Sequence, residues 1–194
     1  MRADLTNELI HFIKGASEKD AYQTLVSILR DKCLIGSTGR IRGAYRCVCF
    51  TELPRTLLQH QGFVNQFGTT RYKKFGIMLP KEWLFEHGGR PVIYQTDEEF
   101  NDLPESHRWR HVRFDPLNGV DFTWEREWRI QIDELPLDSS LTEVFVPDPN
   151  WDQRLRLDHE VEQDFKVVQY TLIQGELAEL YREEFGWNVT TVEG

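Results

Sequence analysis

The sequence predicts an α+β fold in which a split, mainly antiparallel sheet is flanked by helices. Short runs that alternate apolar and polar residues recur along the 194-residue chain, as in half-buried strands. Helical patterns lie between these runs, but without the strict alternation that a parallel βαβ sheet requires. Apolar residues make up 40% of the chain and charged residues 28%. A single domain spanning residues 1–194 can therefore bury a core of its own.

The predicted strands are seven runs rich in apolar, β-branched or aromatic residues. In chain order they cover residues 8–15, 47–54, 73–80, 90–96, 122–132, 142–148 and 165–173. The predicted helices have apolar residues at helical spacing or a recognisable first turn. They cover residues 18–31, 55–68 with a loop at the end, 81–89, 97–113 with a break near Pro104, 149–163 and 175–186. Residues 35–46 contain three glycines and three arginines, which predicts a loop.

Two helices have sequence signals that mark where they begin. Ser17 is followed three residues later by Asp20, a variant of the capping box. Asp148 can cap the helix that starts at Pro149, because proline suits the first helical turn.

The net charge of −9 argues against general nucleic-acid binding, since an acidic surface repels phosphate. Two local clusters could still hold a nucleotide or an RNA segment, although a solvated surface is the more ordinary interpretation of each. They are Arg40, Arg42 and Arg46, and Arg108, Arg110 and Arg113. The glycine-rich fingerprints of Rossmann and P-loop proteins are absent from the sequence.

The chain has the features of a cytoplasmic protein. No apolar run approaches the roughly 20 residues needed to cross a bilayer, and the N-terminal residues lack the regions of a signal peptide. The three cysteines are Cys33, Cys47 and Cys49. An odd number without ligand spacing predicts reduced thiols, no structural disulfide and no metal. We expect no association with membranes.

The clearest strand, FTWEREWRIQI, places two carboxylates on one face. One side would comprise Trp124, Arg126, Trp128, Ile130 and Ile132, and the other Glu125, Glu127, Arg129 and Gln131. The carboxylates would stand about 7 Å apart along the strand. Mutual repulsion raises one pKa, whereas a nearby arginine lowers it. Such a pair suits stabilising a cationic transition state, but a solvent-facing amphipathic strand shows the same pattern.

Four further residues are candidates for a cleft. Thr51 and Glu52 end a buried strand that Pro54 stops, which is also how an ordinary strand terminates. His11 lies within an apolar strand, where a histidine is more often a core residue with one hydrogen-bond partner than a ligand. Tyr72 precedes the strand KKFGIML and could equally lie in an exposed loop.

Five segments, in this order, resemble bacterial abortive-infection proteins of the AbiGi-like type. They are LIHFIKG, ILRDKCLIGS, VCFTELP, RYKKFGIMLPKEWLFEHGGRPVIY and WEREWRI. The last segment also resembles the glutamate-arginine strand of DUF2971-like proteins. The resemblance covers about two thirds of the chain, residues 8–132, and leaves residues 140–194 unassigned.

These families are distantly similar to ADP-ribosyltransferases, and the resemblance implies a split sheet that holds NAD in a cleft. An early strand of that fold supplies a His or Arg, a middle strand a Ser or Thr, and a later strand the catalytic glutamate. The matching positions are His11, Thr51 with the adjacent Glu52, and the Glu-x-Glu motif Glu125-Arg126-Glu127. The middle motif here is Phe-Thr-Glu instead of Ser-Thr-Ser.

The resemblance also implies a role for each residue. Glu127 would hydrogen-bond the ribose 2′-hydroxyl and stabilise the oxocarbenium-like ribose as the nicotinamide bond breaks. Glu125 would orient the acceptor, and His11 would hold the ribose. Tyr72 or Trp124 could stack on nicotinamide.

The function implied is a bacterial anti-phage effector or toxin that transfers ADP-ribose from NAD to an unknown acceptor. The alternative is a non-catalytic antitoxin or binding partner on the same scaffold. The acidic stretch DHEVEQDF favours a protein partner, toxin or antitoxin, over nucleic acid. Nucleic acid is expected as a partner only if it is the substrate that is modified.

Overall fold

The computed structural model describes residues 5–59 and 72–192 of the chain. Its strands are β1 (Glu8–Lys14), β2 (Cys33–Ile35), β3 (Cys47–Thr51), β4 (Tyr72–Pro80), β5 (Arg90–Pro91), β6 (Ile93–Gln95), β7 (His111–Arg113), β8 (Glu127–Gln131), β9 (Glu134–Pro136), β10 (Glu143–Val146) and β11 (Asn188–Thr191). Its α-helices are α1 (Glu18–Asp31), α2 (Lys81–Glu86) and α3 (Pro149–Gln174). The longer 3₁₀ segments are Arg55–Gln59, Glu98–Asp102, Glu105–Arg110 and Gly175–Tyr181.

Seven of these strands form one sheet in the order β11-β10-β4-β1-β3-β8-β5. Neighbouring strands are antiparallel except β10 and β11, which are parallel. Two small pairs lie outside this sheet: β2 with β9, antiparallel, and β6 with β7, parallel. The prediction of mixed α and β structure around a mostly antiparallel sheet is confirmed.

The core lies on both faces of the large sheet, because successive strand residues point to opposite sides. The larger cluster joins α1 and α3 to the sheet through residues that include Tyr22, Leu25, Phe50, Phe75, Ile77, Trp128, Ile130 and Leu155. The smaller cluster, on the other face, contains Ile10, Met78, Phe145 and Val192. Trp128 and Ile130 are therefore core residues, as the alternation in FTWEREWRIQI predicts.

Both predicted helix starts are confirmed. The Ser17 hydroxyl accepts the backbone N–H of Asp20 at 3.2 Å, and the Asp20 carboxylate accepts that of Ser17 at 2.9 Å. The Asp148 carboxylate accepts the N–H of Asn150 at 2.8 Å, with Pro149 in the first turn of α3. These bonds satisfy N–H groups that a helix start leaves without partners.

The C-terminal region differs from its prediction. The expected strand 165–173 is the second half of α3, and the expected helix 175–186 is a 3₁₀ segment that ends at Tyr181. Strand propensity is a weak preference, and a helix already formed propagates through β-branched residues at small cost. The short strands β2, β9 and β11 were not predicted.

Three other predicted elements are shorter or of another type. Residues 97–113 form two 3₁₀ segments followed by β7 instead of an interrupted α-helix. The predicted strand 122–132 begins as a strand only at Glu127. Of the predicted helix and loop 55–68, Arg55–Gln59 is 3₁₀, and 60–68 lie outside the described residues. No helix in the described ranges has the length and apolar character needed to cross a membrane.

Candidate functional site

A cavity of about 430 Å³ lies beside β1, β3, β8 and α1. Five of the side chains expected at a cleft line it: His11, Thr51, Trp124, Glu125 and Glu127. They come from positions up to 116 residues apart in the sequence. The fold therefore brings together residues from the three segments that the sequence pattern singled out.

The cavity lies where β1 and β3 diverge. Within the described residues these strands are paired at a single position, Ile10 opposite Thr51. Beyond it, the His11 ring bridges the strands, with its Nδ1 2.8 Å from the carbonyl oxygen of Cys49. This side-chain contact thus takes the place of the next backbone pairing between β1 and β3. Phe12 and Lys14 of β1 border the cavity instead of pairing with β3.

Glu127 is fixed by its contacts on β8. Its carboxylate forms an ion pair with Arg129 at 2.7 Å, and both side chains are largely buried. Arg129 also donates to the carbonyl oxygens of Trp109 at 3.0 Å and His111 at 2.9 Å. The backbone N–H of Glu127 donates to the Tyr94 hydroxyl at 3.1 Å. These bonds hold the carboxylate at the cavity wall in one orientation.

Glu125 lines the same cavity from a turn, whereas Glu127 lies in a strand. It lies in the 3₁₀ turn Thr123–Glu125, and Arg126 follows in the left-handed conformation with φ of 45°. This residue redirects the chain into β8, so Glu125 and Glu127 are not neighbours on one strand face as expected. The Thr51 hydroxyl donates to the backbone carbonyl of Glu125 and anchors the turn.

The environment of Glu125 raises its pKa to about 7. Burial is the main cause, because a partly desolvated carboxylate is costly, and the negative charge of Glu127 adds to it. Lys14, Arg40 and Arg129 act in the opposite direction. One carboxyl of the pair is therefore held in an ion pair, while the other can exchange a proton near neutral pH.

His11 is suited to accept a hydrogen bond from a ligand. A carbonyl oxygen only accepts, so the bond to Cys49 requires the proton to reside on Nδ1 when the ring is neutral. Burial lowers the pKa of His11, and this favours the neutral ring. Its Nε2 then has a lone pair for a donor such as a hydroxyl group.

Two of the aromatic residues that line the cavity are exposed. Phe122 and Trp124 are 40% and 39% exposed, although both are large apolar residues. Trp124 was expected on the core side with Trp128; the turn before β8 brings it to the cavity instead. Arg126, expected on the same core face, is half-buried in that turn. Flat apolar surfaces at a cavity edge suit stacking on a planar ring.

Glu52 is not brought to the cavity. Its carboxylate accepts from Lys81 Nζ at 2.7 Å and from the indole N–H of Trp128 at 2.8 Å, on the side of the larger core cluster. These two bonds hold the Glu52 carboxylate away from the cavity, and Glu52 is not among its lining residues. The Tyr72 backbone pairs with Lys14, but its side chain lies outside the described part of the chain.

Some cavity residues were missed or only partly anticipated. Arg40 and Arg113, one from each predicted basic cluster, both line the cavity. Asp97 joins the two clusters, because it forms ion pairs with Arg42 at 2.8 Å and Arg113 at 3.5 Å. Arginine-rich composition was the available signal for these residues. No sequence signal marks Tyr94 as the partner of the Glu127 backbone.

The cavity does not have the features of a thiol or metal centre. Burial, followed by the charge of Glu127, raises the pKa of Cys49 to about 12, so its thiol is protonated at neutral pH. Within residues 5–59 and 72–192, no group of three or more His, Cys, Asp or Glu side chains could hold a metal ion. The carboxyl pair is the chemically distinctive feature of the site.

Comparisons of the chain with protein-family models, with curated proteins and with solved structures found no match. The resemblance to AbiGi-like proteins thus stays a prediction from the sequence, and the function has to be argued from the chemistry of the cavity.

Proposed function

We propose that the protein is an NAD-dependent ADP-ribosyltransferase-like enzyme. The observation that favours this function most is the pair of carboxyl groups, Glu125 and Glu127, in one cavity but in unlike environments. Glu127 is ion-paired, and Glu125 has a pKa of about 7. Enzymes that cleave glycosidic bonds divide two roles between such groups: stabilising a cationic sugar and handling a proton.

The divergence of β1 from β3 supports the comparison with a split-sheet NAD cleft. The strand that contributes His11 separates from the strand that contributes Thr51, and the cavity opens between them. The hydroxyl of Thr51 is used to anchor the Glu125 turn. We therefore assign Thr51 a positioning role instead of direct contact with the dinucleotide.

The dimensions and lining of the cavity fit a nucleotide. A volume of about 430 Å³ falls in the range of ordinary ligand sites. Phe122 or Trp124 would stack on the nicotinamide ring. Lys14 and Arg40 would lie near the diphosphate, because both line the cavity and their charges already act on Glu125.

The reaction requires the bond between ribose C1′ and the nicotinamide nitrogen to break. The bonding electron pair leaves with nicotinamide, which becomes neutral, and positive charge develops on the ribose. Glu127 stabilises that charge through the ribose 2′-hydroxyl, and His11 Nε2 accepts a bond from a ribose hydroxyl. A nucleophile then bonds to C1′ and transfers its proton to Glu125.

The inferred cellular role is that of a cytoplasmic anti-phage effector or toxin, and it rests on the resemblance to abortive-infection proteins. The acceptor could be protein, RNA, DNA or water, and a toxin or antitoxin partner belongs to the same inference. The non-catalytic alternative is not favoured by the cavity, because a binding surface does not need two carboxyl groups in unlike environments.

The test is an assay of NAD consumption with the purified chain at micromolar concentration, with and without bacterial extract. NAD labelled in its adenine ring reports both turnover and the fate of ADP-ribose. We expect nicotinamide release, with label retained on an extract macromolecule if that molecule is the acceptor. Absence of both NAD consumption and NAD binding in calorimetry would overturn the proposal.

A further inference from the structure

From Leu157 onwards, α3 exposes an apolar stripe that is unusual for a monomer. Of the seventeen large apolar side chains exposed in the described residues, ten lie between Leu157 and Tyr181. Five of them form one line along α3, and their exposed fractions run from 59% to 87%. These are Leu157, Val161, Phe165, Val168 and Leu172, which we call the α3 stripe. A patch of this kind marks an interaction surface.

The α3 stripe faces away from the rest of the protein. At about 100° per residue, Gln163 lies on nearly the opposite side of the helix from Val161 and Phe165. Gln163 is buried, and its side-chain oxygen accepts the N–H of Glu183 at 3.0 Å. Leu155 is also buried and packs in the larger core cluster. The helix therefore meets its own domain with one side and offers apolar residues on the other.

The spacing of the stripe is that of a helix–helix interface. From Val161 the steps are four, three and four residues, the pattern of the seam between paired helices. A helix that contacted only its own domain would have polar residues at these positions. The natural occupant of the stripe is a second helix with matching apolar residues.

The α3 stripe is nearly symmetric about Phe165. Leucine, valine, phenylalanine, valine and leucine follow each other, with Leu157 eight residues before Phe165 and Leu172 seven residues after it. Two antiparallel copies would thus place Leu157 against Leu172 and Val161 against Val168, with the two phenylalanines at the axis. A two-fold interface requires such self-complementarity.

The charges on α3 favour the same arrangement. Four carboxylates lie in the seven residues 158–164, whereas residues 165–174 contain none. A parallel pair would place the acidic segments side by side. An antiparallel pair places each acidic segment against the acid-free one, which avoids like-charge repulsion.

The geometry points to a homodimer in which two copies of this chain pair antiparallel through the α3 stripe. The stripe offers on the order of 500 Å² per chain, so the pair buries on the order of 1,000 Å² in total, near the lower limit for specific interfaces. We expect a dissociation constant on the order of micromolar. The interface lies outside the cavity lining, so the dimer and the proposed activity can be tested independently of each other.

The test is sedimentation velocity of the full chain over a concentration series, with two double variants. Val161→Glu with Val168→Glu places like charges at both contacts and should raise the dissociation constant at least a hundredfold. Val161→Lys with Val168→Glu places opposite charges at both contacts of an antiparallel pair, so dimers should persist. Leu117→Glu changes an even more exposed apolar residue outside α3 and is the control.

A wild-type chain that stays monomeric at all concentrations would overturn the dimer. Association unchanged in both double variants would place the interface elsewhere and overturn it as well. Equal dissociation of both double variants would contradict the antiparallel arrangement. Circular dichroism of each variant establishes that α3 is intact, and the exposure of both valines means that neither substitution disturbs the core.

Discussion

Glu125 and Glu127 have the same functional group and stand two residues apart, yet their surroundings give them different chemistry. Arg129, buried beneath them, forms an ion pair with Glu127. Glu125 is partly desolvated and faces the charge of Glu127, which raises its pKa to about 7. The left-handed Arg126 between them produces this difference, since it places Glu125 in a turn and Glu127 in a strand.

The raised pKa of Glu125 predicts a pH-dependent stability effect. The folded state binds this proton more tightly than the unfolded chain, so ionisation costs stability as pH rises from about 4.5 to about 7. The full shift corresponds to about 3 kcal/mol, and screening at the partly open cavity reduces it to about 1 to 2 kcal/mol. Glu125→Gln removes the cost and should stabilise the protein at pH 8 but not at pH 4.

Thermal unfolding of the wild type and Glu125→Gln at both pH values measures this effect. The difference between the two proteins cancels the titration of all other groups. Equal stabilisation at pH 4 and pH 8 would show that burial does not hold the carboxyl group in its neutral form.

The carboxyl pair, His11 and Thr51 could be found from the sequence because each lies at a recognisable point of a predicted strand. Arg129 was expected on the same face as Glu127, but the other contacts of these residues could not be found in this way. The bonds of Arg129 to the carbonyl groups of Trp109 and His111 join residues about twenty positions apart. Tyr94 is positioned by the fold alone, and Glu52 is adjacent to a cavity residue but faces the core side. Such contacts depend on tertiary packing, which periodicity does not encode.

At the scale of elements, the arrangement of β10, β4 and β1 depends on a glycine. Gly76 of β4 pairs with Phe12 of β1 and with Phe145 of β10. An added Cβ would lie 2.3 Å from the Phe145 ring and 2.7 Å from the His11 carbonyl oxygen. The backbone therefore approaches its neighbours too closely for any side chain.

Gly76→Ala is expected to destabilise the protein by about 1 to 3 kcal/mol, as for other substitutions that overpack a core. Gly186→Ala is the matched control, because its Cβ would meet only the Ser139 hydroxyl at an ordinary 3.5 Å. Chemical denaturation of both variants gives the two free energies of unfolding. Equal values would contradict the close packing of β4 against β1 and β10.

The starts of the two longest helices could be predicted because a single sequence signal marks each of them. The capping box of α1 and the Asp148–Pro149 start of α3 gave correct helix beginnings. The end of α3 was mispredicted because FKVVQYTLI has the composition of a strand. Its apolar residues are nevertheless spaced as on a helix face, and this spacing was the better guide.

At the scale of the whole molecule, the two unusual surfaces are spatially separate. The cavity lies beside β1, β3 and β8, and the α3 stripe lies on the outer side of the C-terminal helix. The net charge of −9 does not favour a long nucleic-acid interface, although Arg40 and Arg113 at the cavity provide local positive charge. An acceptor would therefore be recognised locally, at the cavity.

The most direct measurement of the proposed activity is the rate of nicotinamide release by Glu127→Gln compared with Glu134→Gln. Glu134 is an exposed strand glutamate of β9, outside the cavity lining, so its change is chemically matched. Glu127→Gln leaves the buried Arg129 charge without its partner and should lower stability, contrary to the small effect that repulsion from Glu125 alone would suggest. Both variants are therefore assayed at a temperature where circular dichroism shows them folded. We expect the rate to fall about 10²- to 10³-fold for Glu127→Gln and to stay at the wild-type value for Glu134→Gln. Full activity in a folded Glu127→Gln variant would contradict the catalytic role of the cavity.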